Sequence, residues 1–305
     1  MVLIYVDDIV VTSSDSKELE EFIVRLNKVF SLKDLGSLHY FLGIEVFRDS
    51  TGLYLTQEKY ISELLQRVDM QNLKPSPTPI TTSKISINDG EPMADPSYYR
   101  SIIGALQYLS HTRPDISFAV NKLSQFLKRP TNVHWTETKR VLRYLKGTMK
   151  YGIHIAPCDR LTLTGFSDAD WACCPDDRRS VAGYCVFLGD SLISWSSKKQ
   201  TVVARSSTES EYRALAQLAA EITWLQELFK EMRFTLPAAP TIWCDNMSAS
   251  ALAANPVYHA RTKHIELDIH FVRDKVLQKQ LQICYVPSHD QLADCLTKGL
   301  SPSRF

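Results

Sequence analysis

Thr164-Gly165-Phe166-Ser167-Asp168-Ala169-Asp170-Trp171 reads as a short β-strand whose end delivers a carboxylate, Asp168, into a turn. An aspartate in a strand runs against propensity, so a metal ion or a hydrogen-bonded turn has to compensate for it. Tyr5-Val6-Asp7-Asp8, inside the apolar run 3–11, has the same design: a strand interrupted by adjacent acids. The surroundings of each stretch decide what its acids are for.

Around Asp168 the pattern is β-rich. Residues 153–155, 161–166, 183–188 and 191–196 alternate or run apolar between turn residues. A long helix is expected over 208–229, with Leu215, Leu218, Ala219, Ile222, Leu225 and Leu228 on one side. A strand over 241–244 ends at Asp245. Helices over 246–254 and 265–278, a strand over 281–286 and a last helix over 291–298 complete the chain. Antiparallel strands followed by alternating helix and strand make a mixed α/β sandwich of roughly 140 residues.

Around Asp7 and Asp8, residues 1–12 read as a β-hairpin arm with both acids at or near its turn. An amphipathic helix follows over 16–30, carrying Leu19, Phe22, Ile23, Leu26, Val29 and Phe30, with Ser14 or Ser16 as its cap. Strands over 38–47 and 52–56 and a helix over 57–70 come next. Residues 73–95 hold Pro75, Pro77, Pro79 and Pro92 among Ser, Thr, Asn and Gly, and read as an extended linker or surface crossing. Helices resume over 98–110, 115–127 and 132–146. The last has a basic face of Lys139, Arg140, Arg143, Lys146 and Lys150 against the single acid Glu137, which suits either a phosphate backbone or plain solvation.

Composition narrows the class. Of 305 residues, 44% are hydrophobic and 23% charged, and the net charge is +1, so any nucleic-acid affinity must come from local basic faces. Seven irregularly spaced cysteines without a CxxC pair argue against zinc and against a secretory disulfide framework. The apolar start is broken by Asp7 and Asp8 and makes neither a signal segment nor a membrane span. Four acids sit where strands end or helices open in the second half: Asp168, Glu211, Asp245 and Asp294. Open α/β sheets place their sites there. Hard oxygen donors favour Mg²⁺ or Mn²⁺, and ordinary caps and turn acids are the bland alternative.

Several boxes carry a family resemblance. Tyr5-Val6-Asp7-Asp8 resembles the YxDD box of reverse transcriptases. Lys33-Asp34-Leu35-Gly36 to Glu45, Tyr99-Arg100-Ser101 to Leu109, Thr112-Arg113-Pro114-Asp115-Ile116 and Arg140 to Thr148 are similar to copia-type LTR retrotransposon Pol polyproteins. Phe166 to Trp171, Ser194 to Gln200 and Ser206 to Tyr212 resemble the ribonuclease H domain of the same polyproteins. The resemblance covers essentially the whole chain.

It implies a combined α/β and α+β fold, with a truncated reverse transcriptase palm and thumb followed by a ribonuclease H-like mixed-sheet domain. The divisions it implies are a partial palm over 1–56 with a primer-grip-like region, thumb or connection helices over 57–150 with a Pro-rich linker at 73–96, and a ribonuclease H-like domain over 151–305. It further implies that Asp168, Glu211, Asp245 and Asp294 hold two Mg²⁺ (or Mn²⁺) ions, with Glu209 competing with Glu211 for the second place. His289 would assist product release. Ser207 and Asn246 are candidates for reading 2′-hydroxyls. Asp7 and Asp8 would be remnant polymerase metal ligands, since the first palm aspartate would lie upstream of them. The partner implied is an RNA–DNA hybrid, with other element-encoded Pol segments possible and no membrane, in an intracellular setting of cytoplasmic particle or nucleus. The reaction implied is cleavage of the RNA strand; the alternative is a non-catalytic retroelement relic that at most binds nucleic acid.

Overall fold

The computed structural model describes residues 1–249 and 265–305; most of the helix expected over 246–254 lies outside them. At the start, β1 (Val2–Tyr5) and β2 (Asp8–Val11) form an antiparallel hairpin in which Tyr5 pairs with Asp8. Helix α1 (Ser16–Val29) is capped by Asp15, whose side chain accepts from the Lys17 N–H, and not by either flanking serine. None of its residues is buried. Its apolar stripe and the hairpin stand open to solvent, with Leu3, Ile4, Val6, Val29 and Phe30 all more than half exposed.

The strand expected over 38–47 is interrupted by a turn at Leu42 and Gly43, giving β3 (Tyr40–Phe41) and β4 (Ile44–Asp49). These join β5 (Gly52–Thr56) and β6 (Ile153–Ile155) in an antiparallel sheet of order β3-β4-β5-β6. Leu55 pairs with Ile153 and Leu53 with Ile155. Sheet pairing therefore places 153–155 with the first half of the chain, and the division expected at 150/151 is not where the sheets divide.

Helices α2 (Glu58–Arg67), α3 (Pro96–Leu109), α4 (Ser117–Ser124, after a 3-10 turn at Pro114–Ile116) and α5 (Asn132–Gly147) enclose one core. That core includes Leu64, Ile103, Leu106, Leu123, Phe126 and Leu142. The Pro-rich segment is not a free linker. Ser76, Thr78, Ile80 and Ile85 are buried, and the segment runs antiparallel to α5 as a strap. Lys146 Nζ donates to the Leu73 carbonyl at 2.8 Å and Arg143 Nε to the Lys74 carbonyl at 2.7 Å. Arg140 Nη2 donates to Thr78 Oγ1 at 2.7 Å. Farther along, Glu137 accepts from Thr81, and buried His134 meets the Ser86 carbonyl at 3.0 Å. Proline removes backbone donors and keeps the strap extended, so α5 side chains satisfy its carbonyls. The basic face read as a phosphate contact thus has Arg140, Arg143 and Lys146 engaged within the chain.

The second sheet comprises β7 (Leu163–Asp170), β8 (Val181–Leu188), β9 (Ser191–Lys199), β10 (Thr241–Cys244) and β11 (Gln282–Tyr285), in the order β11-β10-β7-β8-β9. β7, β8 and β9 are antiparallel, while β10 runs parallel to both β7 and β11. Helix α6 (Ser207–Glu231) lies on one face, packing Leu215, Leu218 and Ile222 into a core shared with Ile242 and with Val272 of α7 (Glu266–Leu277). The last helix expected, over 291–298, is instead a 3-10 turn at Leu292–Leu296.

Arg143→Ala frees the strap carbonyls at Lys74 and Pro75, and charge-assisted bonds of this kind are worth about 1.5–3 kcal/mol. We expect a loss of roughly 1–2 kcal/mol in urea unfolding, reduced from that range by the partial exposure of the contact. An unchanged midpoint would show that the strap does not depend on this anchor.

Candidate metal centre on the second sheet

Register sets the first pair. Cys244 of β10 lies opposite Ser167 of β7 in the parallel ladder, so Asp168 and Asp245 are the next residues on adjacent strands. Parallel neighbours stand about 4.8 Å apart, which brings the two carboxylates together. Asp168 does not end its strand: β7 continues to Asp170, and Asp168 pairs with Gly183 of β8.

Two glycines let other elements close on this pair from opposite faces. A Cβ at Gly165 would press on Leu218 and Ile222, so its absence seats α6 on β7. Glu211 shares that helix face, one turn before Leu215. A Cβ at Gly183 would stand 2.8 Å from Leu296 and Thr297, so its absence admits the 3-10 turn that carries Asp294. Gln291 Nε2 ties the turn to β7 by donating to the Ser167 carbonyl at 2.9 Å.

The result is two groups joined through Asp245. Asp168, Asp245 and Asp294 offer oxygens within 4.8 Å of one another, and so do ligand atoms of Glu211, Cys244 and Asp245. Asp168, Glu211 and Asp294 are buried and Asp245 is half-buried. Ser288 Oγ donates to Asp245 Oδ2 at 2.9 Å. Thr297 Oγ1 donates to Asp168 Oδ2. Lys298 Nζ reaches both sides, 2.7 Å from Asp294 Oδ1 and 3.5 Å from Asp168 Oδ2, and Arg304 Nη2 lies 3.0 Å from Asp294 Oδ2.

Burial disfavours ionised carboxyls. It raises the pKa of Glu211, and the neighbouring Asp168 and Asp245 charges raise it further. Burial also raises that of Asp168, and the Lys298 ammonium and the Thr297 hydroxyl only partly offset it. Burial alone would lower Lys298, but the Asp168 and Asp294 carboxylates outweigh it and hold the ammonium charged. Burial pushes the Cys244 thiol up to about 12, so it stays protonated and the useful donors are oxygens. The donor set fits a hard divalent ion on its chemistry. Glu211 Oε2 is buried without a hydrogen-bond partner, the kind of orphaned acceptor that a cation satisfies.

A family model described as "Reverse transcriptase (RNA-dependent DNA polymerase)" matches residues 1–82. Over 304 residues the chain is 50% identical to the retrovirus-related Pol polyprotein from transposon RE1 of Arabidopsis thaliana, a match covering 99% of this chain and 21% of that protein. It is 34% identical over 225 residues to a putative transposon Ty5-1 protein of Saccharomyces cerevisiae, covering 72% of this chain and 73% of that one. The chain belongs to the copia-type retrotransposon Pol family. The Pol segment thus spans about a fifth of the RE1 polyprotein. Its fold resembles a foamy viral protease-reverse transcriptase solved in complex with dsDNA, with a TM-score of 0.50 at 14% identity over 94% of this chain and 55% of that one. In the Pol segment the region matched by the reverse transcriptase model is followed by the helical core and then by the five-stranded mixed sheet.

The remaining expected residues separate cleanly. Glu209 is occupied elsewhere: it accepts from the Arg205 N–H and pairs with Arg213 at 3.0 Å, bracing the start of α6. His289 is 78% exposed and meets Asp290 at 3.2 Å, on the loop whose Ser288 touches Asp245. Asp7 and Asp8 are exposed in the first hairpin and, among the described residues, join no group able to hold a metal. Of the other two lysines on the basic face, Lys139 is half-buried and Lys150 exposed. Sequence reasoning missed Thr297 and Lys298, although positions i+3 and i+4 from Asp294 share its face in a helical turn.

The pH dependence has a definite sign. With a folded pKa raised above the ordinary 4.5, neutral Glu211 contributes stability that is complete below that value and lost as the pH rises through the raised one. In chelator, wild-type stability should fall between about pH 5 and 9, and Glu211→Gln should flatten that decline. Equal slopes in urea titrations of the two proteins would contradict the assignment.

Proposed function

We propose that the Pol segment carries a divalent-metal-dependent ribonuclease H activity that cuts the RNA strand of RNA–DNA hybrids. The observation that carries this reading is the meeting of Asp168, Asp245 and Asp294 on one side and Glu211 on the other around a single strand end. These four residues would hold Mg²⁺ or Mn²⁺. The bound metal would supply an activated water and stabilise the charge that develops on the phosphate and leaving oxygens.

The chain's own residues divide the remaining work. Asp245 is the shared donor, positioned by the end of β10 and oriented by Ser288. Asp168 is oriented by Thr297, and both are fixed by the parallel register. Glu211 enters from α6, and its Oε2 is buried without a hydrogen-bond partner. Exposed His289 has room to reach a leaving product from the loop beside Asp245. Recognition of an RNA strand requires contact with 2′-hydroxyls, for which Ser207 and Asn246 are placed at the start of α6 and just past β10. Lys139 and Lys150 are the members of the basic face left to meet a phosphate backbone.

The test uses the full 305-residue chain with a labelled RNA–DNA hybrid and Mg²⁺. Asp245→Asn should lower cleavage by about 100- to 1000-fold, the scale of removing one electrostatic stabiliser, and Glu209→Gln should keep most of it. Cleavage that survives Asp245→Asn, or none by the wild type, would sink the proposal.

A further inference from the structure

Asp294, Thr297 and Lys298 come from a single turn of chain, and all three act on the carboxylate group. Asp294 contributes an acid, Thr297 Oγ1 donates to Asp168, and Lys298 Nζ spans Asp168 and Asp294. The contacts of Thr297 and Lys298 fall on the same Asp168 oxygen, Oδ2. Arg304 differs from Lys298 in reaching only Asp294, where it also donates to the Ser288 carbonyl at 3.1 Å. A divalent ion at Asp168 and Asp294 would share these two carboxylates with the Lys298 ammonium, which contacts one oxygen of each. On the other side of Asp245, Glu211 Oε2 has no such partner, although its residue is 7% exposed.

The two sides of the site are therefore unequal. Near Glu211 an incoming cation meets a buried oxygen that no side chain holds. Near Asp294 it must displace a charged side chain that is paid for by two ion contacts. Lys298 is 35% exposed in its side chain, so it has a route to solvent once displaced. The tail that carries it is anchored from outside the sheet, because Phe305 packs edge-on against Tyr144 of α5 with ring centroids 5.5 Å apart.

We propose that Lys298 is an internal competitor for the divalent cation at Asp168 and Asp294, setting the affinity of that side of the site. This rests on the carboxylate group being a metal centre. Displacement of the ammonium by the ion breaks no covalent bond and moves no electron.

The experiment is Mn²⁺ binding to the full chain, followed by electron paramagnetic resonance of the free ion, which requires no nucleic acid and no turnover. Lys298→Met should bind Mn²⁺ about tenfold more tightly than wild type, about 1.4 kcal/mol. Lys298→Gln supplies the same loss of charge should the Met variant fail to fold. Lys298→Arg should stay within about twofold of wild type, because it keeps a cation in place. Asp245→Asn, which removes the shared donor, should weaken binding in every background. Unchanged or weaker binding by Lys298→Met and Lys298→Gln would overturn the inference; if Asp245→Asn still weakens binding, the metal centre itself would stand. Binding by Lys298→Arg as tight as by Lys298→Met would overturn it too, since charge would not be the cause. If neither wild type nor the charge-removed variants bind Mn²⁺, the metal centre fails and the inference goes with it.

Discussion

Parallel pairing of β7 with β10 is the constraint from which the site follows. One register, Cys244 opposite Ser167, places Asp168 and Asp245 side by side and leaves Asp245 just past the strand end, where it can be reached from both faces. A slip of one residue would turn every side chain of β10 to the other face, and the two carboxylates would part. The mixed sheet is suited to this. Its antiparallel members, β8 and β9, brace β7 from one side, while the parallel pair leaves an open end at which helix and turn converge.

Concentrating acids in this way opposes folding, because buried like charges repel and lose their hydration. The chain offsets part of that cost with Lys298 and Arg304 and leaves part uncompensated at Glu211. Raised carboxyl pKa values are the trace of the imbalance. Acids that lack partners within the chain are the ones able to take up a cation.

Much of this was legible from residue pattern. The period of α6, the β10 strand ending at Asp245 and the alternation around Asp168 are local signals, and local signals survive in sequence. The choice between Glu209 and Glu211 was not, because both lie in the opening turns of one helix and only the partners at hand separate them: Arg205 and Arg213 for one, the carboxylate group for the other. The anchoring of the segment over 73–95 was not legible, because its prolines and small polar residues have no period of their own. Its order comes from α5, through side chains that carry the same charges a phosphate-binding face would carry. Charge composition does not distinguish a backbone carbonyl from a phosphate as the acceptor. Only the contact does.

The strand pairing of β6 with β5 has a consequence for how such a Pol segment can be cut and exchanged. The chain leaves the helical unit, adds a strand to the earlier sheet, and only then begins the five-stranded one. Across the same seam Asn121 donates to the Ser197 carbonyl, Trp195 to that of Ser110, and Ser86 to Asp176. A break between 150 and 153 would expose β5 as a bare edge, open to pairing with foreign strands. The unit built on the five-stranded sheet is accordingly not a cassette that recombination can lift out at the obvious sequence boundary. It is stitched to what precedes it, and a transferable unit would have to carry the stitch along.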